Sequence, residues 1–182
     1  MSQHTSEPVD GSVEVSIVTA DGPELCSVGG GALRVSVDGT RVTRFVNEAA
    51  LEWGEWDPEY VGDFLALDLP AILERLERLL RGEVERYDSL EHTFEGWRYY
   101  LLFEPVTDEH LRLAFQTHEQ LGDGSEVPTP HPESARGYLV NLDDLSRAAL
   151  EAGRAYQRRA ETYEVAEPAF ATFLDEFEAL LE

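Results

Sequence analysis

The chain has 182 residues, 42% of them hydrophobic, which suffices for one ordinary domain with accessory segments and an apolar core. It contains 37 acidic residues and only 14 basic ones, all of them Arg, and the net charge is −23 at pH 7. Such a surface repels nucleic acid phosphates and anionic lipid headgroups, so we expect neither nucleic acid nor a membrane as a partner.

The acidity has two explanations. The acids either recruit a basic partner, or they reflect a proteome adapted to molar salt, where a Debye length of about 3 Å screens their repulsion. Because acidic residues are spread along the entire chain, we favour a halophilic protein of haloarchaeal composition.

Signals for targeting and redox chemistry are few. The sequence shows no signal-peptide pattern and no run of about 18 apolar residues, so we expect a cytoplasmic location. The single cysteine, Cys26, cannot form an intramolecular disulfide. Its neighbours, PELCSVGG, include no His or Arg that would activate the thiol, which favours a structural role.

The N-terminal part is predicted to contain a polar tail, a strand and a hairpin. Turn formers dominate residues 1–12, whereas VEVSIVTADG at 13–22 alternates as a short strand does. The segment ALRVSVDGTRVTRFVN at 32–47 predicts a hairpin with Asp38-Gly39 in its turn. We assign residues 1–29 to a tail with a short strand, before a domain at 30–119.

Short helices follow the hairpin. Asn47 is placed to cap a short helix, EAALEW, which Gly54 stops, and Pro58 starts another turn of helix that ends at Gly62. The segment LDLPAILERLERLLRGE at 67–83 predicts a longer amphipathic helix, capped by Asp68 and ending at Gly82. Its apolar face comprises Ile72, Leu73, Leu76, Leu79 and Leu80.

Residues 84–118 predict a three-stranded antiparallel meander, with turns near Glu95-Gly96 and across EPVTDE. If Phe94 faces Trp97 across a two-residue turn, one face of the sheet is apolar. That face comprises Leu90, His92, Phe94, Trp97, Tyr99, Leu101, Phe103, Leu111, Leu113 and Phe115. The other face comprises Arg98, Tyr100, His110, Arg112 and His118.

The C-terminal part is predicted to be a Gly/Pro-rich linker at 120–137 and a helical hairpin at 138–182. Asn141 is the expected cap of the first helix. The second helix places Phe170, Phe173, Leu174, Phe177 and Leu181 at helical spacing. These apolar faces must either fold back onto the chain or pair with a second copy, and we favour a homodimer.

The order of elements at about 30–119 resembles that of a PAS domain. The segment FVNEAALEWGEWDPEYVGDFL, residues 45–65, is similar to the PAS signature, in which Val-Asn ends a strand, an Ala-rich helix follows and glycines close two short turns. The matching positions are Val46, Asn47, Ala49, Ala50, Gly54, Pro58, Glu59, Val61 and Gly62. Gly82-Glu83, the EGW hairpin and Pro105-Val106 resemble parts of the PAS sheet. The fold class implied is α+β, with short helices packed on one face of an antiparallel sheet.

The resemblance implies a pocket that holds haem, flavin or a small metabolite in many members. The ligand-pocket candidates are Trp53, Trp56, Tyr60, Phe64, His92, Trp97 and Tyr99, for which plain core packing is the alternative. Covalent flavin members carry an Asn-Cys-Arg motif, and oxygen-sensing haem members usually carry a His on the long helix; this chain has neither. The cofactor is therefore unknown.

Two classes of function stay open. The first, which we favour, is a non-catalytic sensory or protein-interaction module of PAS type that relays pocket occupancy or partner contact to the C-terminal helices. The second is a small cone-shaped α+β enzyme that uses His92 as general acid or base beside a carboxylate or Tyr99. The sequence contains no nucleophile elbow, phosphate loop or zinc-spaced pair, and we assign no catalytic or metal-binding residue.

Overall fold

The computed structural model describes residues 12–46, 57, 59–94, 98–118 and 128–182. In these residues two antiparallel sheets and their helices surround an apolar core that extends from Leu25 to Leu181, and the predicted α+β class is confirmed. The predicted N-terminal tail as far as Gly11, the short helix after Asn47, the Glu95-Gly96 turn and residues 119–127 of the linker lie outside the described residues.

The first sheet has the order β1-β2-β3, formed by Val13–Thr19, Gly31–Val37 and Thr40–Arg41. The predicted strand and hairpin are confirmed. Val37 pairs with Thr40, and Asp38 and Gly39 between them both have positive φ, as a two-residue hairpin turn requires. All seven residues of β1 pair with β2, so the strand assigned to the N-terminal segment is an integral part of this sheet. A 3-10 turn at Gly22–Cys26 connects the two strands.

Helix α1 spans Leu65–Leu80 and buries Ile72, Leu73, Leu76 and Leu79, as its periodicity predicts. It begins three residues before Asp68, because Leu65 is itself fully buried and extends the apolar face by one turn. The prediction that Asp68 caps the helix is therefore wrong. The predicted end at Gly82 is confirmed, because Gly82 has a φ of +67° and the last carbonyls accept bonds in a Schellman pattern.

The second sheet has the order β4-β5-β6-β7, formed by Leu90–Thr93, Tyr99–Pro105, His110–Thr117 and Tyr138–Asn141. The first three strands are the predicted meander. Strand β7 was not predicted; it pairs antiparallel with the start of β6. Within the predicted linker, helix α2 at Pro132–Arg136 packs on β6, where the Gln116 amide donates to the Ala135 carbonyl.

For the described residues, which do not include Trp97, the predicted faces of the meander are confirmed, although the strand pairing differs. His92 lies opposite Leu101 rather than Tyr99, a shift of two residues from the predicted turn. A shift of two leaves every side chain on its own face, because strands have a period of two. The main core contains His92, Phe94, Tyr99, Leu101, Phe103, Leu111, Leu113 and Phe115, whereas Tyr100, Leu102 and Ala114 form a separate small cluster.

The predicted C-terminal helical pair consists of α3 at Leu142–Thr162 and α4 at Pro168–Glu178. Asn141 caps α3 as predicted, accepting bonds from the backbone N–H groups of Asp143 and Asp144. Helix α3 packs on β1 and α1, and α4 packs on α3 and α1. The apolar faces of both helices are thus covered within the chain, and a homodimer would need another surface. Dimerisation itself stays a prediction.

Candidate functional site

A cavity of about 290 Å³ lies where the start of α1 meets the C-terminal helices. The 3-10 turn forms one side, the first turns of α1 a second, and α3, α4 and their connection the rest. We call it the interhelix cavity; it is lined by Cys26, Phe64, Ala66, Leu67, Pro70, Tyr156, Gln157, Ala160, Val165, Glu167 and Phe170. Ligand pockets commonly begin at about 300 Å³, so this volume suits a small molecule.

The Tyr156 hydroxyl and the Cys26 thiol contact each other in the wall of the cavity. Their oxygen and sulfur atoms are 3.4 Å apart, and the sulfur is 3.6 Å from the Val165 carbonyl oxygen, to which the thiol donates. Burial, followed by the hydrogen bond to Cys26 and the nearby charge of Glu167, raises the pKa of Tyr156 far above its ordinary value. The phenol therefore keeps its proton and is able to donate it to the sulfur.

The Gln157 side chain supplies a hydrogen-bond acceptor without a partner. Gln157 is only 6% exposed, and its amide nitrogen donates to the Glu161 carboxylate at 3.1 Å. Its amide oxygen is buried and accepts no hydrogen bond. Leaving a buried acceptor unpaired costs about 1–3 kcal/mol, so a donor brought in by a bound molecule would recover this free energy.

The predicted pocket residues do not come together around this cavity. Phe64 lines it, whereas Trp53, Trp56 and Trp97 lie outside the described residues. Tyr60 is half-buried near the surface, with the Arg34 guanidinium 5.4 Å above its ring. Tyr99 is buried in the main core, where its hydroxyl donates to the Pro128 carbonyl.

His92, the remaining candidate, is paired with a carboxylate inside the core. Its Nε2 lies 2.9 Å from Oδ1 of Asp68, and the two side chains are 4% and 1% exposed. The other carboxylate oxygen of Asp68 is buried without a hydrogen-bond partner. Such a pair holds an imidazole in a fixed orientation, and here it also joins β4 to α1.

Sequence reasoning did not select Cys26, Tyr156 and Gln157 for the site, or Asp68 as the partner of His92. The helical spacing of the sequence could have identified two of these residues, Asp68 and Gln157, as polar side chains on buried helix faces. Asp68 stands four residues before Ile72 on the apolar face of α1, and Gln157 lies between Gly153 and Ala160 on the buried face of α3. A polar residue at such a position is buried, and its partner or ligand then has to be found.

Among the described residues, no three or more His, Cys, Asp or Glu side chains are grouped so as to hold a metal ion. In the same part of the chain, no helix has the length and apolarity that crossing a membrane requires. Comparisons of the chain with protein-family models, with curated proteins and with solved structures found no match. The PAS resemblance of residues 30–119 therefore stays a prediction.

Proposed function

We propose that the protein is a non-catalytic sensory module that binds a small molecule in the interhelix cavity and relays its occupancy to α3 and α4. One observation carries this proposal: the cavity wall is shared between the domain core, through α1 and the 3-10 turn, and the two C-terminal helices. An occupant would therefore contact both parts at once. Sensing is also the class of function that the PAS resemblance implies.

Aromatic side chains connect the cavity to α4, so that a bound molecule could displace this helix. The rings of Tyr156 in α3 and Phe170 in α4 meet edge to face, with centroids 6.0 Å apart, and both line the cavity. Phe170 in turn stacks on Phe173. Because packed side chains transmit displacement to their neighbours, a molecule that moves Phe170 also shifts α4 relative to α3.

The ion pairs that fasten the C-terminal helices are weak enough to permit such a shift. Nη2 of Arg154 in α3 lies 2.7 Å from a carboxylate oxygen of Asp175 and 2.7 Å from one of Glu178, both in α4. Arg159 pairs with Asp21 beside the 3-10 turn. The acidic partners are all more than half exposed. Exposed pairs of this kind contribute about 0–1 kcal/mol, and less in high salt.

A protein partner that senses a shift of α3 and α4 would contact the outer faces of these helices. Those faces carry exposed acids, including Glu151, Glu161, Glu176 and Glu178, because the apolar faces are packed inward. The chemistry that fits this surface is a basic one, and a second copy of the same acidic face would be repelled.

Cys26 allows a direct test, because it is the single cysteine of the chain and lines the cavity. Native mass spectrometry of protein purified in molar KCl identifies any retained molecule. Alkylation of Cys26 is then timed with and without that molecule, and amide hydrogen exchange is compared along the chain. We expect occupancy to slow alkylation and to alter exchange in α3 and α4 more than in β5 and β6.

A variant that fills the cavity provides the matched control. Ala160 is 1% exposed and lines the cavity, so Ala160→Leu should abolish retention of the molecule and its effect on alkylation. Ala148→Leu makes the same change on α3 away from the cavity and should preserve both. Binding that leaves exchange in α3 and α4 unchanged would refute the relay, and the absence of any bound molecule would refute the proposal.

The enzyme alternative has the His92–Asp68 hydrogen bond in its favour, since a carboxylate that orients an imidazole is a common element of general acid–base sites. Both side chains are nevertheless at most 4% exposed. A substrate would have to displace packed core residues such as Phe94, whose ring lies 5.1 Å from the imidazole. The geometry thus favours a structural role for this pair.

A further inference from the structure

We infer that the ligand of the interhelix cavity is a small apolar amine, whose nitrogen donates hydrogen bonds to acceptors in the cavity wall. The inference rests on the proposed function, because it names the chemical class that the proposed sensor binds. Three properties of the wall support it: its available acceptors, of which the Gln157 amide oxygen is unpaired, its charge and its volume.

The wall includes a side-chain acceptor without a partner. The Cys26 thiol donates its one proton to the Val165 carbonyl, which leaves the Tyr156 hydroxyl as the donor in its contact with the sulfur, so both protons are used within the wall. The Gln157 amide oxygen has no donor. Proline has no N–H, so Pro70 leaves the Ala66 carbonyl without its usual bond from the residue four positions later. A molecule that donates hydrogen bonds complements these acceptors.

The charge of the wall distinguishes an amine from an acid. None of the eleven lining residues is Arg, Lys or His, whereas Glu167 contributes a carboxylate close enough to affect Tyr156. A negatively charged ligand would find no cation among these residues and would meet the Glu167 carboxylate. A protonated amine would gain from the same charge and from the acidity of the whole chain.

The volume limits the apolar part of the ligand. An apolar cavity of about 150 Å³ holds one benzene molecule. The interhelix cavity, at about 290 Å³, has space for a body of one or two rings. Its apolar lining includes Phe64, Leu67 and Phe170, which suit an aromatic or alicyclic body.

Four probes of nearly equal size and shape test the inference: benzylamine, benzyl alcohol, ethylbenzene and benzoate. Each is titrated in molar KCl, which screens non-specific attraction of the amine, and protection of Cys26 from alkylation gives the dissociation constant. We expect benzylamine to bind at least about tenfold more tightly than ethylbenzene, the difference that hydrogen bonds to a charged donor typically supply. Benzyl alcohol should bind with intermediate affinity, and benzoate should give no protection.

The variant Gln157→Leu assigns the preference to a particular acceptor. It should reduce the ratio of benzylamine to ethylbenzene affinity to within about twofold, while circular dichroism confirms the fold. Gln116→Leu makes the same change on the outer face of the second sheet and should keep the ratio. Protection by benzoate, equal binding of ethylbenzene, or an unchanged ratio in Gln157→Leu overturns the inference but leaves the cavity a binding site. Failure of all four probes to protect Cys26 overturns the inference, and the proposed function is refuted as well only if native mass spectrometry also finds no retained molecule.

Discussion

Asp68 of α1 and His92 of β4 form a buried hydrogen-bonded pair whose surroundings depend on a glycine. A Cβ atom at Gly62 would lie 2.7 Å from the free Asp68 oxygen and 3.1 Å from the Phe94 ring, and Gly62 has a φ of +81°. The chain thus reverses at Gly62 in a conformation that glycine favours, and it leaves the space that the carboxylate occupies. The glycine at position 62 is therefore needed for Asp68 of α1 to reach His92 of β4.

A double-mutant cycle should show strong coupling between these two side chains. His92→Leu leaves the Asp68 carboxylate buried without its partner and should cost about 3–5 kcal/mol of unfolding free energy. Asp68→Leu is nearly isosteric, so the double variant should be more stable than the sum of the single losses predicts. Urea unfolding in molar KCl measures all four proteins. Strictly additive losses would show that the hydrogen bond is energetically unimportant.

Substitution of Gly62 should be more damaging than that of a glycine with the same backbone conformation in open space. Gly39 has a φ of +72°, and no atom lies within 4 Å of the position that a Cβ would occupy there. Gly39→Ala should therefore cost only the left-handed strain, about 1–2 kcal/mol. Gly62→Ala should cost a further 1–3 kcal/mol, roughly, from overpacking. Equal losses in urea unfolding would contradict the packing argument.

These residues show what the sequence pattern does and does not contain. Alternation in the meander placed His92 on the buried face, because a period of two identifies the face directly. The partner Asp68 was misassigned as a cap, because the pattern of one element does not state which side chain of another it will meet. The same limitation applies to Gln157, whose importance depends on a cavity that three elements form together.

At the scale of elements, long periodic segments and strands next to a recognisable turn were predicted, whereas short elements inside the presumed linker and helical hairpin were not. Helices α1, α3 and α4 and strands β1, β2, β5 and β6 each show several repeats of an apolar pattern. Helix α2 and strand β7 have five and four residues, and no turn residues mark them as Asp38-Gly39 and Glu95-Gly96 in the sequence mark β3 and β4. The meander pairing differed by two residues because the apolar alternation fits both registers, and only the turn geometry distinguishes them.

Removal of the C-terminal elements should unfold the remainder rather than release a stable domain. A chain ending after His118 lacks β7, α3 and α4, and it would expose Leu73 of α1, which is fully buried, and the face of β1 that α3 covers. We expect no cooperative urea transition and a weak near-ultraviolet circular dichroism spectrum, in contrast to the full chain. A truncated protein with a native-like spectrum and a cooperative transition would show that residues up to 118 fold as an independent domain.

At the scale of the whole molecule, charge imbalance opposes compaction. Even if each of the 14 Arg residues neutralised one acid, 23 of the 37 acids would stay uncompensated (37 − 14 = 23). Ion pairs such as Arg34 with Glu59 and Arg86 with Asp108 involve acids that are at least half exposed, so these pairs contribute little stability individually. The fold therefore depends on core packing and on screening of the remaining repulsion.

The melting temperature should rise as KCl is increased from dilute buffer to molar concentration, because the Debye length falls to about 3 Å at 1 M and screens the repulsion between exposed acids. KCl also strengthens apolar association, so sucrose, which stabilises without screening, serves as the control and should give a smaller rise. A second control changes the protein: Glu85→Gln, Glu151→Gln and Glu176→Gln together reduce the net charge from −23 to −20 at exposed positions. This variant should melt higher in dilute buffer and gain less from KCl than the parent chain. A melting temperature that does not change with KCl, or an equal gain in parent and variant, would show that self-repulsion does not limit the stability of this fold.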